Sequence, residues 1–214
     1  LHERDNLSND ESAINANPLP YFLAAIEAMD TEIGRFLDNL SEDERNNTYI
    51  IFIGDNGTPQ QVAQSPYSKT KSKNSMYLGG VNTPMIIWGP KIAKNAQSNN
   101  DFIQSTDLFA TIAQLCGSST TEIEDSRSFA NLLTGSSYNP RNYLYSEIGG
   151  SNQFAGHTIR NDSFHLINYD DNTQLFFNLM QDPEEDSNLL DQTLSSSASS
   201  NKTELEDKLK EIRP

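Results

Sequence analysis

Residues 48–61, TYIIFIGDNGTPQQ, set Tyr49, Ile50, Ile51, Phe52 and Ile53 side by side directly before Gly54-Asp55-Asn56-Gly57. An apolar run of β-branched and aromatic residues without polar alternation predicts a strand covered on both faces. Such a strand needs layers around it, and the preceding residues offer one. Phe22, Ile26, Met29, Ile33, Phe36, Leu37 and Leu40 recur at helical spacing from Pro20 onward. An amphipathic helix followed by a covered strand points to an α/β architecture.

Further along, Gly79-Gly80 and Pro84 punctuate the approach to a second apolar run, Met85, Ile86, Ile87 and Trp88, which predicts another strand. Ile103, Leu108, Ile112 and Leu115 fall near one helical face, and the pattern stops at Gly117, a residue suited to closing a helix. Beyond Pro140 the texture changes to short alternating runs, NYLYSEI, AGHTIRN, SFHLINYDD and TQLFFNLMQD, which predict a small antiparallel sheet. SSSASSNK, residues 195–202, reads as a mobile surface segment ahead of a short charged helix over residues 204–212. Residues 1–17 are polar and unpatterned, and residues 41–48 read as a charged loop. The expected organisation is an α/β portion over residues 1–137 and an antiparallel portion with a terminal helix over residues 138–214.

A formal net charge of −15 disfavours electrostatic binding to nucleic acid or anionic lipid. The one cysteine, Cys116, excludes an internal disulfide and any multi-cysteine zinc site. Its apolar surroundings, residues 112–115, predict a buried and inert thiol. No apolar run is long enough to span a bilayer, and no basic-then-apolar leader precedes the polar start at Leu1, so either a removed start or a fragment is expected.

In an open parallel sheet, functional groups gather just past the carboxyl ends of strands, where Asp55 and Asn56 would stand. A carboxylate beside a carboxamide offers oxygen ligands, which suit hard cations such as Ca²⁺ or Mg²⁺ better than zinc. Taken alone, Asp-Asn-Gly is also an ordinary turn former after any strand.

The order of pieces narrows the choice. MDTEIGRFLDNL, IIFIGDNG, a loop with Lys69, Lys71 and Lys73, YLGGVNTPMIIWGP, STDLFATIAQLCG and LFFNLMQDPEEDSNLL follow one another along the chain. This succession resembles the carboxyl-terminal half of the formylglycine-dependent sulfatase family, within the alkaline-phosphatase superfamily, from about residue 20 to residue 190. The resemblance implies part of an alkaline-phosphatase-like sandwich, with a mainly parallel sheet flanked by helices and a small carboxyl-terminal antiparallel subdomain. It implies that Asp55 and Asn56 are ligands of one active-site divalent cation, usually calcium. It further implies that Lys73, four residues before Tyr77, neutralises ester oxygens as charge develops. Asn56 stands where metal-dependent phosphodiesterase relatives tend to have histidine, which favours a single hard cation. Lys69 and Lys71 read as solvated loop charges. Leu78 and Asn82 depart from the family's common glutamate and arginine.

Asp107 matches a family aspartate and reads as a helix-start residue that stabilises free first-turn amides. From the carboxyl-terminal subdomain, which in the family covers one side of the cleft, Arg160 and His157 are candidates for substrate contact. For His157 an ordinary hydrogen-bonded histidine is the competing reading, while His165 is expected to face solvent. Family catalysis also needs a Cys/Ser-x-Pro/Ala-x-Arg motif, whose cysteine or serine becomes formylglycine, and no such motif occurs in the 214 residues. Cys116 is followed by Gly117-Ser118-Ser119, and His2 lies in no matching motif.

The expectation is therefore a sulfatase fragment that is inactive alone, with the nucleophile in a missing amino-terminal half that would be its partner. Its substrate would be a sulfate ester, and its location periplasmic or extracellular by resemblance. A phosphate mono- or diester hydrolase of the same superfamily and a non-catalytic sulfatase-like binding module are the alternatives.

Overall fold

The computed structural model describes residues 6–92, 100–150 and 154–213, so His2 lies outside it. Packing divides the chain into two compact units, one of Leu1–Ser75 with Gly79–Pro90, the other of Met76–Leu78 with Lys91–Pro214. Apart from Met76–Leu78, the second unit begins at Lys91. The reason is that Phe102 bridges Arg141 and Asp107 pairs with the same arginine, which binds residues 102–107 to the later strands.

In the first unit, helix α1 (Glu11–Ala16) rises from the segment that looked unpatterned, with the Asp10 side chain accepting from the Ser12 amide. Helix α2 (Leu19–Asp38) is the predicted amphipathic helix, and Pro20 sits in its first turn, where an absent N–H costs nothing. The charged loop after it contains a further short helix, α3 (Glu42–Arg45), closed by a capping box between Ser41 and Glu44. Ser-x-x-Glu was the legible signal for it. Arg45 folds back to donate to the carbonyls of Leu37 and Leu40 at 2.5 and 3.3 Å, satisfying acceptors at the end of α2.

Strand β1 (Ile50–Ile53) is followed by two short 3-10 turns, Gln60–Val62 and Lys69–Lys71, by the helical turn α4 (Leu78–Val81) and then by strand β2 (Met85–Trp88). β1 and β2 pair antiparallel, with Ile50 opposite Trp88 and Ile53 opposite Met85. Among the described residues β1 has no parallel neighbour, and it is half-buried along its length rather than covered on both faces. Ile86 and Trp88 lie on one face of β2 and are 63% and 45% exposed. On α2 only Ala24 is buried, while Ile26, Met29 and Phe36 face outward. Among the described residues this two-stranded sheet leaves exposed part of the apolar surface that the sequence supplies for it.

The second unit holds the core. Helix α5 (Asp107–Leu115) packs with the two-residue strands β3 (Glu122–Ile123) and β4 (Ser126–Arg127) and the short helix α6 (Ala130–Leu133). It buries Asp107, Ala110 and Thr111 and leaves Phe109 and Ile112 exposed, a different face from the one that hydrophobic spacing selected. Polar anchors decide this face: Ser126 Oγ accepts the Ala110 amide and Thr111 Oγ1 accepts the Phe129 amide. The helix ends as predicted at Gly117, whose φ of +98° and paired bonds, Gly117 N to Gln114 O and Ser118 N to Ala113 O, form a Schellman closure. Cys116, directly before it, is exposed rather than buried, because the closing turn lifts it out of the apolar face.

Strands β5 (Leu144–Ile148), β6 (Gly156–Arg160), β7 (Phe164–Tyr169) and β8 (Gln174–Asn178) form the predicted antiparallel sheet in sequential order. Helix α7 (Ser196–Ile212) covers one face: Ala198, Leu205 and Leu209 pack on Ile159, Phe164, Leu166 and Phe176. The other face carries Ile167 and Phe177, on which Met76 packs. The serine-rich run is thus ordered as the first turns of α7, capped by Ser195 on the Ala198 amide at 3.2 Å. Burial of Ala198 outweighs the weak helix propensity of serine.

Candidate functional site

β1 delivers Gly54 and then Asp55 and Asn56, both exposed, at its carboxyl end. The Asn56 amide donates to Asp55 Oδ1 at 3.0 Å, fixing that carboxylate against its own backbone. Next, the Gly57 amide donates to the Gly80 carbonyl at 3.0 Å, and the Lys73 amide donates to the Thr58 carbonyl at 2.9 Å. Gln60 Nε2 reaches the Lys73 carbonyl at 3.3 Å. Gly57 is obligatory for contact reasons: a Cβ there would stand 2.0 Å from the Gly79 carbonyl oxygen and 2.8 Å from Gly80 Cα. These bonds stitch the strand end to the lysine loop, so Asp55, Asn56 and Lys73 belong to one backbone-braced cluster. Two oxygen donors supply part of the six to eight that a Ca²⁺ ion takes. Among the described residues no group of three His, Cys, Asp or Glu side chains converges as a metal site.

Arg160 and His157, the candidates from the second unit, are three positions apart on β6 and so point to opposite faces of the sheet. His157 lies on the α7 face. There its Nδ1 meets Arg213 at 2.7 Å and its Nε2 meets Asn168 at 3.3 Å. Burial, then the neighbouring Arg213 guanidinium, holds its pKa below the usual histidine value. Both ring nitrogens are thus engaged within this fold. Arg160 lies on the face that carries Ile167, its guanidinium 4.6 Å from the centre of the Phe102 ring. Burial lowers its pKa, against the opposing pull of Glu185 and Asp162.

Two placements differ from the sequence reading. His165 is 1% exposed, not solvent-facing. Its Nδ1 bonds Glu185 Oε1 and its Nε2 bonds Thr158 Oγ1. Asp107 does begin α5, yet its carboxylate accepts the amides of Gln104 and Arg127 at 2.8 and 2.9 Å and a two-pronged Arg141, rather than the first-turn amides. It braces three segments of the second unit. Glu185, which sequence reasoning passed over, accepts the Leu78 amide at 2.7 Å and is buried. The signal was present in QDPEEDSNLL, where an acidic run surrounds a single carboxylate that the fold withdraws from water.

A family model described as sulfatase matches residues 2–118, and a second, described as N-sulphoglucosamine sulphohydrolase, C-terminal, matches residues 70–214. The chain belongs to the sulfatase family. A sulfatase of Formosa agariphila is 22% identical over 190 residues, covering 86% of this chain and 36% of that relative. Among solved structures, the phosphonate monoester hydrolase SpPMH from Silicibacter pomeroyi aligns with a TM-score of 0.75 and 22% identity, over 98% of this chain and 43% of that one. BT4656 in complex with its substrate D-glucosamine-2-N,6-O-disulfate aligns with a TM-score of 0.72 and 21% identity, over 91% and 40%. This sulfatase chain therefore has part of the alkaline-phosphatase-like fold, as expected, and spans about a third of the length of that curated relative. Among the described residues no helix is long and apolar enough to cross a membrane.

Proposed function

We propose that this chain is the carboxyl-terminal part of an enzyme that hydrolyses sulfate esters with one divalent cation. The observation that supports it most is the bracing of the β1 end to the lysine loop through Gly57–Gly80 and Thr58–Lys73. Asp55 and Asn56 would hold Ca²⁺, with Mg²⁺ as the other hard cation that their oxygens suit. When bound, such a cation draws charge from sulfate oxygens. Lys73 would face the ester and balance the negative charge that grows on it. Of the two second-unit candidates, Arg160 is kept as the substrate contact, since both ring nitrogens of His157 are engaged by Arg213 and Asn168.

On this reading the formylglycine nucleophile and the remaining ligands lie upstream, because the 214 residues contain no Cys/Ser-x-Pro/Ala-x-Arg motif. The exposed Ile26, Met29, Phe36, Ile86 and Trp88 support a missing amino-terminal half as the partner that covers them. A periplasmic or extracellular location accompanies the assignment. The phosphate-ester alternative draws on the likeness to the phosphonate monoester hydrolase.

The test is hydrolysis of an aryl sulfate and an aryl phosphate, with added Ca²⁺, by the isolated chain and by the chain joined to its upstream sequence. The isolated chain should not turn over. The joined enzyme should prefer the sulfate and lose roughly 10²–10³-fold in kcat on Lys73→Ala, with Ca²⁺ dependence lost on Asp55→Ala. Robust turnover by the isolated chain, or a joined enzyme indifferent to Asp55→Ala, would overturn the proposal.

A further inference from the structure

We infer that Glu185 is a positioning residue for the loop carrying Lys73, acting through the amide of Leu78; what Lys73 does there rests on the sulfatase reading above. The segment after β8 is built to present this one carboxylate. Asp182 folds it by accepting the amides of Asp186 and Ser187 at 2.9 and 2.8 Å, and the Glu185 amide closes a turn on the Asp182 carbonyl at 3.1 Å. Glu185 itself sits at φ +59°, a left-handed conformation that a non-glycine residue keeps only when its surroundings impose it. Its side chain is buried, although Glu184 and Asp186 on either side of it belong to a surface turn.

The hydrogen bonds around that carboxylate can be counted by proton. Thr158 Oγ1 gives its only proton to the Leu166 carbonyl at 2.9 Å, so it must accept from His165 Nε2. His165 Nδ1 and Glu185 Oε1 then share one proton between them, and Glu185 Oε2 is left to accept the Leu78 amide. Arg160 lies directly across from His165 on the sheet, and Tyr77 and Tyr169 are near enough to Glu185 for its charge to help raise their pKa values. A buried pair of this kind adds little stability over apolar residues of the same size. Its use is directional: it sets where one backbone N–H must be.

That N–H belongs to a segment held at each of its residues. Met76 packs on Ile167 and Phe177, the Tyr77 ring lies 5.7 Å from that of Phe177, and Leu78 is bonded by Glu185. The chain runs from Lys73 into this segment within five residues and continues from it into Gly79 and Gly80, whose carbonyl accepts the Gly57 amide. Fixing Leu78 therefore fixes one end of the loop that presents Lys73.

Amide hydrogen exchange on the full 214-residue chain tests this without any substrate. Glu185→Ala should speed exchange of the Leu78 amide by on the order of tenfold, and that of the Lys73 amide with it. Glu185→Gln should restore both, since its amide donates to a neutral Nδ1 and its oxygen still accepts Leu78. Thr158→Val removes the far end of the network but leaves the Leu78 bond, and it should affect the sheet amides without singling out Leu78 and Lys73. The inference is overturned if Glu185→Ala leaves Leu78 protected, if Leu78 opens while Lys73 does not, or if Thr158→Val reproduces the pattern. In the joined enzyme, Glu185→Ala should lower kcat/KM and Glu185→Gln should not. Should the exchange pattern hold while wild type hydrolyses no sulfate ester, the sulfatase reading fails and the positioning role stands.

Discussion

Replacing Gly57 by alanine is the sharpest test of how the strand end is braced. The added Cβ would lie 2.0 Å from the Gly79 carbonyl oxygen, and real Cβ atoms essentially never approach closer than 3.0 Å, so this backbone must retreat by about 1 Å. The obstacle is peptide backbone and not the end of a flexible side chain. Gly57 lies outside the left-handed region, so the penalty is one of contact alone. Overpacking of this order costs about 1–3 kcal/mol, and the strained Gly57–Gly80 hydrogen bond adds about 1 kcal/mol, giving about 2–4 kcal/mol. Gly34 in α2 is the internal contrast, because nothing lies within 4 Å of its would-be Cβ. There alanine should stabilise by up to about 1 kcal/mol through helix propensity. The assay is urea unfolding followed by the fluorescence of Trp88, the single tryptophan, which sits on β2 in the same unit. With a slope of about 2 kcal/mol per molar urea, Gly57→Ala should lower the midpoint by roughly 1–2 M. A Gly57→Ala midpoint equal to wild type, or moved in the same direction as Gly34→Ala, would refute the contact argument.

Other consequences follow from the second unit. Asp107→Asn leaves Arg141, whose side chain is 14% exposed, without its two-pronged partner, and should destabilise by about 3–5 kcal/mol in chemical denaturation. His157 should titrate below 6.5 in NMR, and Arg213→Ala should move its midpoint upward, though not fully, since burial is the larger cause. Because its folded pKa is depressed, the stability linked to His157 is present above pH 6.5 and lost as pH falls through the folded value. Ser195→Ala removes the cap of α7 and should cost about 1 kcal/mol, read as a lower thermal midpoint with the same helical content at low temperature.

How much of this was legible beforehand depended on whether the deciding interaction was local. The strand over residues 85–88, the helix from residue 19 and the stop at Gly117 follow from short-range pattern and stereochemistry, and each is found where it was expected. The ordered motifs were likewise enough to name the family, because they are linear strings. The resemblance to that family also set Asp55, Asn56 and Lys73 apart from the other polar residues. It could not show that they share one braced cluster, since the bonds from Gly57 to Gly80 and from Thr58 to Lys73 join residues far apart in the chain.

Three of the misreadings lie where a distant partner overrules the local pattern. His165 looked like a surface strand residue until Glu185, twenty positions on, took its ring nitrogen. Asp107 looked like a cap until Arg141 closed on it from thirty-four positions away. SSSASSNK is compositionally loose, and only the apolar face of β6, β7 and β8 gives Ala198 a reason to be helical. By itself, then, the sequence determined which segments could be helix or strand, which family they compose and which oxygen-bearing residues end the first strand. Tertiary structure alone decided which carboxylates are buried and whom they hold, because burying a charge is settled by the partners that surround it and not by its neighbours along the chain.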